Sequence, residues 1–354
     1  MDRSSFGLGA ARAVHVPWGM THFLDVQPTD QNRWRALILF GRNVASYKFA
    51  LARSLLDLAG RGDDLVRLDE LAVPFSAHLC QHLRLSPKQA TSKSSQFLEQ
   101  CRRANQGEIE ESELHATTVR HGFNNVLDAF HRLGATDVDT RFFLDERRES
   151  GGIRLTDELR AIAAAEDRNL EQESEARWRL VETAWELGIT HSLIEHDAAK
   201  GELTASRGGR RVSVTSARAA LNGYQKGRCF YCFSAITTSA GPARADVDHF
   251  FPWALRRLLP GNINGVWNLV LACSRCNRGA AGKFDLVPTL SLLERLYRRN
   301  EFLITSHHPL RETLMAQTGA NPGQRIHFLQ LVYNAAVVGR VASWAPSAAA
   351  EAAF

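Results

Sequence analysis

The sequence predicts an α+β protein with three regions: a mostly helical domain over residues 1–206, a small zinc-stapled domain over 207–290, and a helical extension over 291–354. Three observations support this division. Apolar residues recur at three- and four-residue spacing over much of the first 200 residues and again after residue 290. Four cysteines in two Cys-x-x-Cys pairs lie between these helical stretches. A Gly-rich basic stretch, residues 206–211, precedes the cysteines and is typical of a domain boundary.

Apolar periodicity predicts individual elements along the chain. Helices are predicted over residues 36–58, 114–133, 216–225, 291–304 and 324–341. The first of these carries a glycine at position 41, where we expect a break. A short strand is expected just before the third, with a threonine or serine at the helix N-cap. The Ala-rich C-terminus, from Ser347 onward, is expected to fray.

The chain lacks the features of a membrane or secreted protein. No apolar run approaches the roughly 20 residues needed to cross a bilayer, and the N-terminus has no clean signal-peptide core. We therefore expect a cytoplasmic protein without membrane contact, whose cysteines are reduced thiols or metal ligands. Cys80 and Cys101 stand alone in helical segments and are interpreted as small buried hydrophobic residues.

Positive charge is concentrated in one segment. The whole chain has 43 Lys and Arg against 38 Asp and Glu, a formal net charge of +5. From Arg207 to Lys283 there are 12 basic residues but only 2 acids, Asp246 and Asp248, so the rest of the chain carries an acidic excess. A basic segment around a metal motif predicts a polyanionic partner, first of all nucleic acid. The alternative is a solvated basic face.

The four paired cysteines predict a structural zinc site. Cys229 with Cys232, and Cys273 with Cys276, each place two sulfurs in a tight knuckle. Two such pairs complete a tetrahedron around one Zn²⁺ and leave no open position for chemistry. A redox dithiol is the alternative for one pair alone, and the second pair argues against it.

The residues around the cysteines resemble a known family. The string Cys-Phe-Tyr-Cys … Val-Asp-His-Phe-Phe-Pro-Trp … Asn-Leu-Val-Leu-Ala-Cys-x-x-Cys-Asn, within residues 224–288, is similar to HNH endonucleases of the four-cysteine zinc type. That resemblance implies a ββα-metal core. A weaker likeness over residues 39–50 suggests a protein from a bacterial genome-defence locus, in which an HNH nuclease accompanies an unrelated helical region.

The resemblance also implies roles for four residues. His249 matches the general base, and Asn268 matches the asparagine that braces the loop carrying the base. Asp248 and Asn277 match the ligands of a catalytic divalent cation, for which their oxygen atoms favour Mg²⁺ or Mn²⁺. Because Asn277 stands where the family often has histidine, the chain is an HNN variant. A neutral imidazole suits the task, since it can accept a proton from water near pH 7.

The function implied is a metal-dependent endonuclease that cuts or nicks DNA, leaving 5′-phosphate and 3′-hydroxyl ends; RNA stays open as a substrate. Arg256, Arg257, Arg278 and Lys283 are expected to contact the nucleic acid. The helical region is expected to dock a protein partner, orient the substrate or shield the nuclease. The alternative function is a non-catalytic, zinc-dependent nucleic-acid-binding module.

Two residues near these motifs, Asp246 and Trp253, leave their roles open. Asp246 would share a strand face with Asp248, which makes it either a further metal ligand or a solvated or capping residue. Trp253 could stack on a base or pack over the hairpin. His196, like the other histidines outside the motif, has no comparable residues around it and is assigned no function.

Overall fold

Helices make up about half of the chain, and small sheets of two or three strands lie between them. The computed structural model describes residues 20–40, 44–92, 95–134, 136–165, 169–187, 194–207, 210–339 and 342–354. The mixed α and β composition agrees with the predicted class.

The helices span α1 (Met20–Asp25), α2 (Asp30–Leu39), α3 (Tyr47–Leu58), α4 (Leu68–Leu85), α5 (Gln96–Asn105), α6 (Glu111–Thr117), α7 (Val126–Ala129), α8 (Asp157–Ala163), α9 (Asn169–Leu187), α10 (Ala217–Gln225), α11 (Ser274–Arg278), α12 (Leu290–Thr305), α13 (Arg311–Thr318) and α14 (Pro322–Gly339). The strands span β1 (Leu65–Arg67), β2 (Arg132–Leu133), β3 (Thr136–Asp137), β4 (Phe143–Glu146), β5 (Gly152–Leu155), β6 (Ile194–Asp197), β7 (Glu202–Arg207), β8 (Arg210–Ser216), β9 (Asp246–His249), β10 (Leu269–Ala272), β11 (Val287–Pro288) and β12 (Ser343–Trp344).

The N-terminal region is built mainly of helices, as predicted, but it also contains the antiparallel sheet β1-β5-β4. The helix predicted over residues 114–133 is interrupted. α6 ends at Thr117, a π-helical turn follows, and only the four-residue α7 comes after it. Gly122 and the two asparagines that follow Phe123 are poor helix formers, so the apolar stripe alone does not maintain the helix. The predicted break at Gly41 lies outside the described residues, between α2 and α3.

Helix α10 and its cap agree with the sequence prediction. β8 covers the expected strand, and the Ser216 hydroxyl oxygen accepts a hydrogen bond from the Ala219 N–H at 3.5 Å. This capping bond satisfies one of the free N–H groups at the helix start. α12 and α14 likewise cover the two helices predicted after residue 290.

The predicted boundary at residues 206–207 falls inside the β7–β8 hairpin, which pairs antiparallel from Arg207 with Arg210 to Glu202 with Ser216. Other contacts also join residues on the two sides of the predicted boundary. The Arg35 guanidinium forms a buried ion pair with Glu173, which in turn accepts a hydrogen bond from Asn222 on α10. The hydrophobic core continues from the N-terminal helices into the cysteine-containing segment. Among the described residues, buried apolar side chains are therefore continuous across this point.

The C-terminal residues pack against the cysteine-containing segment, so the predicted fraying is wrong. The Ala350 N–H donates to the Cys232 carbonyl at 2.8 Å, and Ala353 is fully buried. The Phe354 ring lies 5.0 Å from Phe233 and 6.2 Å from Phe230, measured between centroids. Burial of the Phe354 ring among these aromatic residues stabilises the packed C-terminus, although the residues before it are mostly alanines.

Among the helices of the described ranges, none combines the length and the apolar composition that a bilayer span requires.

Candidate metal centre and polar site

The centre of the site is the antiparallel hairpin formed by β9 and β10, followed directly by α11. In its register Asp248 lies opposite Val270, and His249 lies opposite Leu269. β10 is buried along its whole length, as an apolar Leu-Val-Leu-Ala run predicts. The Phe230 N–H donates to the Leu271 carbonyl at 2.8 Å, which fixes the first cysteine knuckle against β10.

The four paired cysteines converge at one end of this hairpin. The Sγ atoms of Cys229, Cys232, Cys273 and Cys276 all lie within 4.8 Å of one another, and none is in a disulfide. Sulfurs about 2.3 Å from a tetrahedral Zn²⁺ lie about 3.8 Å apart, and the Cys232 and Cys273 sulfurs are separated by 3.8 Å. A disulfide would need about 2.0 Å. The cluster can therefore bind a zinc ion.

Hydrogen bonds to the sulfurs support their thiolate forms. The Cys273 N–H donates to the Cys229 sulfur at 3.3 Å, and the Ser234 hydroxyl lies 3.0 Å from the Cys232 sulfur. The contact with Cys229 lowers the pKa of Cys232 to about 5, while the reciprocal contact raises the pKa of Cys229. Four thiolates this close would need a cation to balance their charge, and a Zn²⁺ ion bound by the cluster would supply it.

Asp248, a predicted ligand of the catalytic cation, is buried and already paired. The Tyr231 hydroxyl donates to its Oδ2 atom at 2.6 Å, and the Lys283 ammonium lies 3.3 Å from its Oδ1 atom. Burial raises the pKa of Asp248, and the positive charge of Lys283 opposes that shift. Both carboxylate oxygens thus have protein partners.

Lys283 does not fit its predicted role as a nucleic-acid contact. Its side chain is about 1% exposed, and its ammonium group donates to the carbonyl oxygens of His249 at 2.9 Å and Phe284 at 3.2 Å. Together with Asp248, these acceptors surround the ammonium, so it cannot reach a phosphate from this position. The position of Lys283 shortly after Cys276 in the sequence does not indicate that its side chain is buried.

Asn277 contacts Asp246 and not Asp248. Its amide nitrogen donates to the Asp246 Oδ2 atom at 3.1 Å, and the exposed Arg278 guanidinium donates to the same oxygen at 2.9 Å. Asp246 and Asn277 are half-buried. Within the described ranges, the cysteines are the one group of three or more His, Cys, Asp or Glu side chains close enough to share a metal.

His249 is anchored through one ring nitrogen. Its Nε2 atom lies 3.0 Å from the Asn264 side-chain oxygen, which can only accept a hydrogen bond. With the Asn264 amide oxygen facing the ring, the Nε2–H tautomer makes this bond and Nδ1 keeps its lone pair. Burial lowers the pKa of His249, a shift that the nearby Lys283 charge reinforces and the bond to Asn264 opposes. The result is a neutral imidazole near pH 7 with a basic nitrogen.

Asn268 closes the loop that follows His249. Its side chain is fully buried and accepts from the Phe251 N–H at 2.8 Å. Its amide nitrogen donates to the carbonyls of Phe251 at 3.1 Å and Ile263 at 3.0 Å. These three bonds join the two ends of the connection between β9 and β10. The loop next to His249 is consequently held from within.

The basic residues after His249 lie on the surface. Arg256 and Arg257 are exposed, and the Arg256 guanidinium lies 3.4 Å from the centroid of the Trp253 ring. Trp253 is 47% exposed and Phe284 is 55% exposed. Trp253 is therefore partly packed and partly exposed to solvent, so neither of its two interpretations is excluded.

Two residues near His249 escaped the sequence prediction. Asn264 lies in the loop before β10, and its only signal is a polar residue in a Gly- and Asn-containing turn. His196 lies on β6, with its ring centroid 5.9 Å from that of His249. Nothing in the sequence around His196 marks it, because its proximity to His249 depends on how β6 packs.

Comparison with known proteins adds no assignment: no family model matches the chain, and neither a curated protein nor a solved structure does.

Proposed function

We propose that the protein is a metal-dependent endonuclease of the HNH type, which hydrolyses phosphodiester bonds in DNA with His249 as the general base. The observation that supports this most directly is the state of His249. Its Nε2–H is bound to Asn264, its Nδ1 lone pair is free, and burial lowers its pKa so that the ring stays neutral. These are the properties a general base needs at neutral pH.

In the proposed reaction, His249 Nδ1 takes a proton from a water molecule as the water oxygen attacks phosphorus. The bond between phosphorus and the 3′ oxygen breaks, and that oxygen takes a proton from solvent, which leaves a 5′-phosphate and a 3′-hydroxyl. The loop bonds of Asn268 and the bond from Lys283 to the His249 carbonyl hold the base rigidly. Such fixed positioning lowers the barrier, because little reorganisation is left for the reaction itself.

For the catalytic cation, we assign Asp246 and Asn277 as ligands and depart from the Asp248 and Asn277 pair that the resemblance implies. Displacing Arg278 from Asp246 costs little, since its side chain is 65% exposed and exposed ion pairs contribute about 0–1 kcal/mol. Displacing Lys283 from Asp248 would break a buried pair. Oxygen ligands with retained waters suit Mg²⁺ or Mn²⁺, and such an ion neutralises charge on the phosphate when bound.

Nucleic acid is the proposed partner because of three exposed arginines in the segment that contains His249. Arg256, Arg257 and Arg278 are exposed, and Trp253, which is 47% exposed, would stack on a base once the Arg256 guanidinium leaves its ring face. DNA binding should weaken steeply as salt rises, because phosphate contacts release counterions. Measuring the affinity for duplex DNA, single-stranded DNA and RNA between 50 and 200 mM salt, a range over which such affinities change strongly, tests this. An affinity independent of salt would contradict it.

A plasmid-nicking assay with Mg²⁺ or Mn²⁺ tests the catalytic assignment. His249→Ala should lose about 10²- to 10⁴-fold in rate, the usual contribution of a general base, while its zinc content and DNA affinity stay unchanged. His327→Ala is the matched control, since His327 is an exposed histidine on α14, outside the segment that carries the HNH resemblance. Undiminished nicking by His249→Ala would remove the assignment of the base.

The same assay tests the cation ligands. Asp246→Ala should need a much higher Mg²⁺ concentration for half-maximal nicking, because it loses a charged oxygen ligand. Asp246→Glu keeps the carboxylate and should retain part of the response. If Asp246→Ala responds to Mg²⁺ like the wild-type protein, the ion binds elsewhere.

The second candidate function is a zinc-dependent nucleic-acid-binding module without catalysis. It is favoured by one observation, the Lys283 ammonium that already occupies Asp248. Wild-type protein that binds DNA with full zinc content but does not nick it, with any divalent cation, would establish this alternative.

A further inference from the structure

The orientation of His249 depends on the loop of residues 262–265. Asn264 in this loop accepts the hydrogen bond from His249 Nε2. The Asn264 N–H donates to the Asn262 side-chain oxygen at 3.0 Å, which makes a local turn. The loop therefore presents a single amide oxygen to the imidazole, and any movement of the loop would move that oxygen.

Strand β6 holds this loop from outside the hairpin. The His196 N–H donates to the Asn264 carbonyl at 3.1 Å, and Glu195 forms an isolated antiparallel bridge with Gly265. The Asn262 amide nitrogen donates to the Glu195 carboxylate at 2.5 Å. Backbone and side-chain bonds thus fasten the loop to β6 on both sides of Asn264.

The His196 side chain lies beside His249. It is 5% exposed, and in the part of the chain that the structure describes neither of its ring nitrogens has a hydrogen-bond partner. A buried polar group without a partner destabilises the folded state. Its ring centroid lies 5.9 Å from that of His249, so the two imidazoles are neighbours.

We propose that Asn264 is a positioning residue that fixes the tautomer of His249, and that strand β6 holds Asn264 in place for this purpose. The catalytic part rests on the proposed function of His249. A neutral imidazole exists as two tautomers, and only the Nε2–H form leaves Nδ1 able to accept a proton. An oxygen acceptor at Nε2 selects that form. β6 therefore contributes to the site, although it lies outside the segment that carries the HNH resemblance.

Two substitutions at Asn264 test the acceptor. Asn264→Ala removes the oxygen and should lower kcat about 10- to 100-fold, a part of the full contribution of a general base, with KM and zinc content unchanged. Asn264→Asp keeps an oxygen at the same reach and should recover most of the rate. An Asn264→Ala variant with wild-type kcat, or an Asn264→Asp variant as slow as Asn264→Ala, would overturn the proposal.

Nitrogen-15 NMR of the histidine rings tests the same idea without any activity. In the full-length protein His249 should show the Nε2–H tautomer, and in Asn264→Ala it should show a mixture; His249→Ala identifies its signals. An Nδ1–H tautomer in the wild-type protein would refute the proposal. If the protein does not nick DNA but His249 has the Nε2–H form, the proposed function fails while the positioning role holds.

Substitution of Glu195 tests the strand in case Asn264→Ala does not fold. Glu195→Ala loses the acceptor for Asn262 and should lower kcat several-fold without changing KM, because the loop loosens. Glu195→Gln keeps an oxygen acceptor and should stay close to wild type. Equal kcat in Glu195→Ala and wild-type protein would show that β6 does not position the loop.

Discussion

The two ends of the β9–β10 hairpin are built in different ways. At the cysteine end, all four sulfurs come from two knuckles within residues 229–276. At the histidine end, the partners of His249 come from the loop before β10, from β6 and from Lys283 after α11. A cysteine cluster can therefore be specified by short spacings, whereas the orientation of the His249 imidazole requires contacts from distant segments.

A second contrast lies along β9 itself, between two aspartates two residues apart. Asp248 is buried and pairs with the buried Lys283, while Asp246 is half-buried and pairs with the exposed Arg278. Asp248 thus has a buried counter-ion, Lys283, whereas the counter-ion of Asp246, Arg278, is exposed and can be displaced. Solvent exposure of the partner decides which carboxylate is available to an external cation.

The largest effect is expected at the cysteine end. Cys273→Ser should lose zinc and destabilise the protein by several kcal/mol, since binding of structural zinc contributes on the order of 10 kcal/mol. Zinc analysis and thermal melting measure this. Cys101→Ala, a buried cysteine on α5 outside the cluster, is the control and should keep its zinc. A zinc-free Cys273→Ser protein with native thermal stability would contradict the structural role of the metal.

The contrast between the aspartates predicts unequal costs for removing their partners. Lys283→Met should destabilise by about 3–5 kcal/mol, because it leaves the Asp248 charge buried without its counter-ion. Arg278→Met should cost far less, as for other exposed pairs. Urea unfolding of both variants gives the comparison, and the double variant Asp248→Asn with Lys283→Met should recover part of the loss. Similar losses of unfolding free energy in the two single variants would contradict the proposed difference between Asp248 and Asp246.

The smallest effect concerns His196 at the histidine end. Burial, helped by neighbouring His249 and Arg218 and opposed by Asp197, lowers the pKa of His196 from 6.5 to about 4. A group with a depressed pKa binds its proton more readily in the unfolded chain, so it removes stability as pH falls from 6.5 through 4. His196→Phe lacks this titration, and its urea midpoint should fall less over that window. An equal fall in both proteins would show that His196 stays protonated or becomes exposed.

Local patterns predicted several parts of the molecule well. The cysteine cluster, the strand and capped helix before it, and the helices α12 and α14 all lie where periodicity and spacing place them. The helix predicted over residues 114–133 and the frayed C-terminus were wrong. The asparagines near Phe123 disfavour a helix despite the apolar stripe around them. The Phe354 ring holds the C-terminus against the cysteine-containing segment despite the Ala-rich residues before it.

The sequence by itself determined the two Cys-x-x-Cys knuckles, because their spacings are short and local, while the order of strand, strand and helix beside them was expected from the family resemblance. Tertiary packing alone decided that Lys283 is buried against Asp248, that Asn277 meets Asp246, and that β6 secures the loop beside His249. Burial and pairing of this kind arise when segments far apart in the chain come together, and no periodicity or spacing within either segment encodes that meeting.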